Sequence, residues 1–430
     1  MPKGRKKGGR KSAESRAPSD EEYDTADNWS TASVLSDDLS GSIPEDDREN
    51  DDVDESNAQE NFEDKLKDAI DGLTQKSAQG RKNCLDAINK AFSKKYLFDF
   101  LQDRKITVSD AVIRCLKKGK GDEQALAAKC ITMLCIQLGQ DADEIMTDVR
   151  PVLVALLSDN SANVKARGQC AIAVAMCTFI TCVEIEDVIS VMESLENIFK
   201  QSFKKGDKSI PNHNPDTCHL HASALTAWGL LLSIAPQWII DKLVLKYLTK
   251  LPDILESQDV ELRIVSGETI ALFYELGREE DEEFESDAMV NLCETLRRLS
   301  TESHKYWAKR DRRQQKSSFR DILRAVQEGE APEMNVKFAS ESLEIFSWVK
   351  KMQYSAFCHA LTSGMNQHLQ WNPLVREVFG LGSPLLPTSV ASNKPTKWER
   401  AQFNAAAFKA RTKARAKYRD KRSVTMNGSE

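Results

Sequence analysis

The residues of this chain best suited to chemistry are cations. In "FKARTKARAKYRDKRS", Phe408 to Ser423, a lysine or arginine stands at every second position from Lys409 to Lys421, and Arg422 follows. Lys409, Arg411, Lys413, Arg415, Lys417, Arg419, Lys421 and Arg422 are therefore candidate contacts for a polyanion. No Gly or Pro occurs from Thr396 to Asn427, and Ala405–Ala407, Ala410, Ala414 and Ala416 are strong helix formers. On a helix turning about 100° per residue, alternate charges cover two broad arcs of the cylinder. No apolar stripe remains after Phe408 to dock such a helix on a folded body. Like charges at i,i+4, such as Arg411–Arg415 and Lys413–Lys417, cost about 0.2–0.5 kcal/mol each. Alone, the helix frays; among phosphates, the repulsion becomes attraction on many sides. That geometry suits a narrow phosphate-walled channel of structured RNA, bound with strong salt dependence and little sequence preference. A nuclear-localisation signal needs the same charges without a helix, and the residues alone leave both readings open.

A second cluster, "KYWAKRDRRQQKSSFRDILRAV" at 305–326, holds eight Lys/Arg with Tyr306 and Trp307 interleaved. Cations beside aromatics suit phosphate contact with base stacking, which makes Lys309, Arg310, Arg312, Arg313 and Lys316 a second candidate RNA surface. The alternative is a solvated helix face, with Asp311 and Asp321 pairing some of the charge. For metal, the best arrangement is "HNPDTCHLH", with His213, Cys218, His219 and His221. Structural zinc sites usually draw on two spaced ligand pairs. Here the ligands form one cluster, so a packed cysteine with partly exposed histidines is the expectation and no metal is assigned. No Gly-rich phosphate loop and no locally spaced Ser/His/Asp set appears. No catalytic residue, cofactor or small-molecule substrate is expected.

These residues must be positioned by helices. Phe62, Leu66, Ile70 and Leu73 recur at helical spacing, and Cys84, Leu85, Ile88 and Phe92 follow. No sustained period-2 stretch is found, so the body reads all-α. Helices are predicted at about 62–75, 79–92, 107–118, 122–138, 142–157, 163–181, 185–202, 216–234, 237–249, 259–276, 285–300, 315–327, 338–362 and 372–380. "RKNCLDAI", "AAKCITML" and "RGQCAIAV" place a cysteine at 84, 130 and 170 on similar faces, a period of 40–46 residues. "DVELRIVSGETIAL" at 259–272 has the look of the second helix of such a repeat. The period is that of HEAT or armadillo arrays, whose helix pairs stack because none buries its apolar face alone. The polar segment 203–215 is expected to be an exposed loop of the kind that lines a solenoid's binding face.

The formal net charge of −6 hides three regions. Residues 1–16 hold seven Lys/Arg and one acid, residues 17–64 hold eighteen Asp/Glu and one Arg, and residues 394–422 hold eleven Lys/Arg and two acids. The remaining body is almost neutral. The predicted organisation is a disordered acidic, serine-rich tail at 1–60, an armadillo/HEAT-like solenoid at 61–327, a C-terminal helical part of the body at 328–382, a linker at 383–396 and a basic helix at 397–430. Ser19 and Ser36, each followed by acids, resemble sites for an acid-directed kinase. The ten scattered cysteines suit a reducing compartment, no secretory leader is read at the N-terminus, and the longest apolar runs fall short of the roughly 20 residues that span a bilayer. The expectation is a soluble, intracellular protein with no membrane partner.

Over most of residues 60–422 the chain resembles the interferon-related developmental regulator family. The resemblance is carried by "RCLKKGKGDEQ" (114–124), "LCIQLG" (134–139), "LENIF" (195–199), "SGETIAL" (266–272) with "YEL" (274–276), "SFRDILRAV" (318–326), "SGMNQHL" (363–369) and above all "NAAAFKARTKARAKYRDKR" (404–422). The resemblance implies an armadillo/HEAT-like fold followed by a short C-terminal module. It also implies one of two roles. The first is binding to idle ribosomes, with the solenoid near the tRNA sites and Lys409 to Arg422 against ribosomal RNA in the mRNA channel, which represses translation by exclusion. The second is nuclear co-regulation of transcription in differentiating cells through repressor complexes. The first places the protein in the cytoplasm and fits the basic segment directly; the second adds a nuclear pool.

Overall fold

A computed structural model describes residues 51–181, 184–302 and 308–384 together with Gln402 and Lys409, with side chains from Gln59 onward. The described helices are α1 (Asp51–Asp71), α2 (Ala78–Lys94), α3 (Phe98–Gln102), α4 (Lys105–Lys118), α5 (Asp122–Leu138), α6 (Asp143–Ser158), α7 (Val164–Thr181), α8 (Ile185–Phe199), α9 (Pro215–Leu232), α10 (Gln237–Leu248), α11 (Leu251–Ile254), α12 (Val260–Glu280), α13 (Met289–Thr301) and α14 (Lys309–Glu328). A hairpin of β1 (Met334–Phe338) and β2 (Glu341–Ile345) follows, then α15 (Trp348–Leu361), α16 (Met365–Trp371) and α17 (Pro373–Val378).

The solenoid has two rows. In the inner row α2, α5, α7, α9, α12 and α14 touch one another in that order. In the outer row α4, α6, α8, α10 and α13 each back an inner helix. Sequence decides the row. An outer helix has one apolar stripe: α8 buries Val188, Val191, Met192, Leu195, Ile198 and Phe199 at helical spacing. An inner helix is small and apolar on most sides: in α7 Cys170, Ala171, Ala173, Val174, Ala175, Met176 and Cys177 are all fully buried. The cysteines at 84, 130 and 170 fall on α2, α5 and α7 and mark successive inner helices. Trp228 on α9 binds the rows together. Its ring centroid lies 5.7 Å from Phe199 on α8, 4.8 Å from Tyr247 on α10 and 5.8 Å from Phe273 on α12.

The chain after α14 folds back over the inner row. Glu275 on α12 accepts the backbone N–H groups of Trp348 and Val349 at 2.7 and 2.9 Å, capping α15 with a carboxylate from another helix. Met352 then rests on α9, where a Cβ at Gly229 would lie 2.6 Å from its methyl group. Phe357 meets Phe179 of α7 edge to face at 6.2 Å. Beyond α15, Gly364 sits against the backbone of Ser93 on α2. His368 Nε2 donates to the carbonyls of Phe92 and Ser93 at 2.9 and 3.1 Å, leaving Nδ1 to accept from Asn372. Asn372 also donates to Ile136 O on α5 at 2.9 Å. Arg376 closes the strap: its guanidinium forms a two-bond pair with Glu341 of the hairpin at 3.0 and 2.7 Å and also reaches Leu369 O and Gly382 O.

Three expectations need correcting. The first helix begins at Asp51, so the segment 51–60 assigned to the disordered tail is helical; an apolar stripe anchored at Leu66, Ile70 and Leu73 lets the helix propagate backward through polar residues. The helix predicted at 338–362 begins only at Trp348, and 334–345 is an antiparallel hairpin with Met334 opposite Ile345 and Phe338 opposite Glu341. Each strand is five residues long, too short for a period-2 search. The turn is Ala339–Ser340 with Ala339 at φ 46°, a position where the usual signal is Asn or Gly. The helix predicted at 372–380 is the short α17, preceded by the unpredicted α16.

Two measurements check the strap. Arg376→Met leaves the half-buried Glu341 and the Leu369 and Gly382 carbonyls without their donor and is expected to cost about 2–4 kcal/mol of unfolding free energy, read by urea denaturation. Burial lowers the His368 imidazole to about 4. A lowered base stabilises the fold fully above its unfolded value near 6.5. That stability is lost as pH falls from about 6.5 towards 4, at no more than ~1.4 kcal/mol per pH unit. His368→Gln is therefore expected to flatten the acid limb of the stability curve relative to the unsubstituted protein.

Candidate nucleic-acid interface

The charged face of the body is on α14. The helix forms because Phe319, Ile322, Ala325 and Val326 give it one buried stripe, against which Gly267 of α12 lets Ile322 and Phe319 approach closely. Its register is fixed by Gln315, fully buried, which accepts from Arg263 Nη2 at 2.7 Å and donates to Leu299 O at 3.2 Å. Its end is fixed by Gly329 in the left-handed region at φ 71°. There Arg278 of α12 donates to Ala325 O and Val326 O, both at 2.6 Å, satisfying the last carbonyls.

With that stripe buried, the opposite face must be outward. Lys309, Arg310 and Arg313 are exposed, while Arg312 and Lys316 are half-buried. Among the described residues none of these five has an ion-pair partner. Lys309, Arg313 and Lys316 share a face, and Arg320 and Arg324, both exposed, continue it. The spacing i, i+4, i+7, i+11, i+15 puts five cations along roughly 22 Å at 1.5 Å per residue. Sequence reasoning named the first part of this line and stopped short of Arg320 and Arg324, although their spacing was readable. Asp321 does not neutralise the line: it is turned towards the body, where burial raises its carboxyl despite Lys351, Arg324 and Arg320 nearby.

Of the eight candidate residues near the C-terminus only Lys409 is among those described; Arg411, Lys413, Arg415, Lys417, Arg419, Lys421 and Arg422 lie outside them. Lys409 is helical and half-buried on the body beside α3, its Nζ 2.8 Å from the Phe98 ring centroid and 3.4 Å from Tyr96 Oη. α3 adjoins the first inner helices and α14 is the last, so the structure does not bring Lys409 and the α14 line together.

Within the histidine cluster His213 and His221 meet edge to face at 4.8 Å, but the polar atoms of the four residues take different partners. His221 is buried with Nδ1 2.6 Å from Ser202 Oγ, and burial lowers it to about 4. His213 Nε2 donates to Gln201 O at 3.1 Å, His219 pairs with Glu261 at 3.0 Å, and the Cys218 thiol points at His213 O. No group of three or more potential ligands gathers among the described residues. Burial raises the thiols of Cys115, Cys130, Cys170 and Cys177, which suits packing and not nucleophilic work. No described helix is long and apolar enough to cross a membrane. A cavity of about 180 Å³ between α12, α14 and Trp348 is lined by Glu275, Arg278, Glu279 and Glu330. Glu275 and Arg278 cap the helices around it, and Glu330 lies 4.0 Å from Arg324 Nε.

Comparison with known proteins gives two sequence-family matches: "Interferon-related developmental regulator" over residues 28–327 and "Interferon-related protein conserved region" over residues 372–423. The rat interferon-related developmental regulator 1 is 43% identical over 376 residues, 86% of this chain and 84% of the relative. The human form is 43% identical over 86% of this chain and 83% of its own. The mouse interferon-related developmental regulator 2 is 44% identical over 377 residues, 86% of this chain and 85% of the relative. Among solved structures a designed armadillo repeat protein superposes with a TM-score of 0.38 at 12% identity, over 61% of this chain and all of that one.

If the α14 cations serve a partner and not the fold, their joint replacement is cheap. Lys309, Arg313, Lys316 and Arg320 changed together to Gln are expected to shift stability by no more than about 0.5 kcal/mol per site. Arg263→Gln, which strips the partner from buried Gln315, is expected to cost about 1–3 kcal/mol. Urea denaturation of the two variants reads the difference.

Proposed function

The chain belongs to the interferon-related developmental regulator family, and on that premise we propose that it is a non-enzymatic ribosome-binding protein that represses translation. In this reading the solenoid occupies the region of the tRNA sites, and the basic segment 397–430 enters the mRNA channel and excludes mRNA sterically. One observation carries the proposal: the unbroken alternation of cations from Lys409 to Lys421, followed by Arg422, which lies inside the second matched region. The line of cations on α14, of which among the described residues only Arg324 has an ion-pair partner, Glu330 at 4.0 Å, supports it from the body. Two modules joined in one chain bind more tightly than either alone, because the first contact raises the effective concentration of the second. The protein then acts in the cytoplasm, with ribosomal RNA as its main partner and no cofactor.

A second reading, a nuclear scaffold for transcriptional repressor complexes, has one observation on its side. Trp238 and Leu245 share a face of α10, seven residues apart, and are 51% and 76% exposed. That reading requires partner binding to survive loss of residues 397–430.

The test is sucrose-gradient sedimentation of cell lysate at low and moderate salt. Lys413, Arg415 and Lys417 changed to Glu, and separately Arg313, Lys316 and Arg320 changed to Glu, are each expected to move the protein from the monosome fractions to the top. In direct titrations each triple should lower the slope of log affinity against log salt by about 2–3. Unchanged sedimentation of the first variant, with its circular dichroism intact, would sink the channel reading.

A further inference from the structure

We propose that Tyr96 and Phe98, with Asp99 and Asp141 beside them, form a lysine-binding niche on the first repeat, that its ligand is the Lys409 ammonium of the chain's own basic segment, and that a polyanion must extract Lys409 to engage that segment fully. The niche is built from the fold and not from the segment. Tyr96 and Phe98 are both buried residues at the start of α3, and their rings stack at 6.4 Å with planes 27° apart. Lys409 comes from 313 positions away in sequence, places Nζ 2.8 Å from the Phe98 centroid and 5.6 Å from the Tyr96 centroid, and donates to Tyr96 Oη at 3.4 Å. An ammonium over aromatic faces, with one hydroxyl acceptor, is the arrangement by which proteins hold cations without a formal ion pair.

The electrostatics make this contact releasable. Burial lowers the Lys409 ammonium to about 8, against the opposing pull of Asp99 and Asp141. The charged form is thus held at a net desolvation cost that nearby acids only partly offset. Both acids are exposed on the surface, so their attraction is weakened by solvent and salt. A row of phosphates would offer the same ammonium a stronger partner. Lys409 cannot sit over the Phe98 ring and against a phosphate together, so docking in cis and polyanion binding compete. The seating of Lys409 on Tyr96 and Phe98 rests on geometry; the competition rests on the ribosome reading above.

The experiment uses the full-length protein and two probes. Zero-length carbodiimide coupling, read by peptide mass spectrometry, is expected to join Lys409 to Asp99 or Asp141 and to leave Lys413 and Lys417 largely uncoupled to either. Brief trypsin treatment is expected to cleave after Lys409 several-fold more slowly than after Arg415. Phe98→Ala would remove the niche but touches the core. Asp99→Asn, on the surface, and Lys409→Met, on the tail, are therefore the variants to use: the first should equalise the two cleavage rates, and the second, which removes the cleavage site at 409 with the ammonium, should leave Asp99 and Asp141 uncoupled to the basic segment. Equal rates in the unsubstituted protein, with no Lys409 coupling, overturn the niche. Adding purified ribosomes should abolish the coupling, and Asp99→Asn should tighten ribosome association several-fold. If coupling occurs in the free protein and persists on ribosomes, the competition fails while the niche stands. If ribosomes do not bind at all while coupling occurs, the ribosome reading fails and the niche stands.

Discussion

The structure turns on helices that have no polar side. α5, α7, α9 and α12 bury residues around most of their circumference, and a two-row solenoid covers such a helix from behind and from its neighbours only. The remaining side would face water, and an exposed apolar strip of that length invites association. The strap of α15, α16 and α17 answers this constraint by lying across the row from α12 to α2. What would be a ligand groove in an open solenoid is here part of the core. Outward faces such as that of α14 are left uncovered.

Apolar cover alone would let the strap slide. Its register is set by polar groups that must each find one partner. Glu275 can accept the N–H groups of Trp348 and Val349 only if α15 begins at that point. His368 can satisfy Phe92 O and Ser93 O only with α16 seated on the end of α2, and Arg376 can satisfy Glu341 only with the hairpin closed. Buried polar atoms left unpaired are costly, so each bond excludes neighbouring registers. The glycines act in the same sense: at Gly229 and Gly364 a Cβ would meet Met352 and the Ser93 backbone, so strap and row approach at those points and not one turn away.

Most of the helices were readable from sequence because their evidence is local: apolar spacing, Gly and Pro breaks, and a cysteine returning every 40–46 residues. The α14 face was readable for the same reason, and its extension to Arg320 and Arg324 needed only the helical period carried further. The hairpin was hidden by its five-residue strands and by a turn residue, Ala339, that does not announce itself. The strap's position was not readable at all. "SGMNQHL" contains His368, but nothing within that stretch says that its ring is buried against carbonyls 275 residues earlier in the chain. Likewise the alternation of cations after Phe408 reads as uniform charge, and only the fold shows Lys409 over Phe98.

That distinction bears on how a nearly neutral body carries so charged an end. Seven cations at alternate positions repel one another, and nothing in the sequence of 404–423 offsets that repulsion, since Asp420 is the only acid there. A free segment of this kind would bind any polyanion it met, with affinity set by salt and not by identity. Selectivity has to come from a second requirement imposed by the folded part. The α14 line can impose it, because its five cations are fixed along one rigid helix at the far end of the row from α3. A ligand that satisfies both must present phosphates over a span matched to the body, which a flexible single strand does only by paying the entropy of being held straight. On the proposed ribosome reading, a large structured RNA would meet the condition without that cost, and rigidity in the solenoid would convert a general affinity for phosphate into a preference for shape.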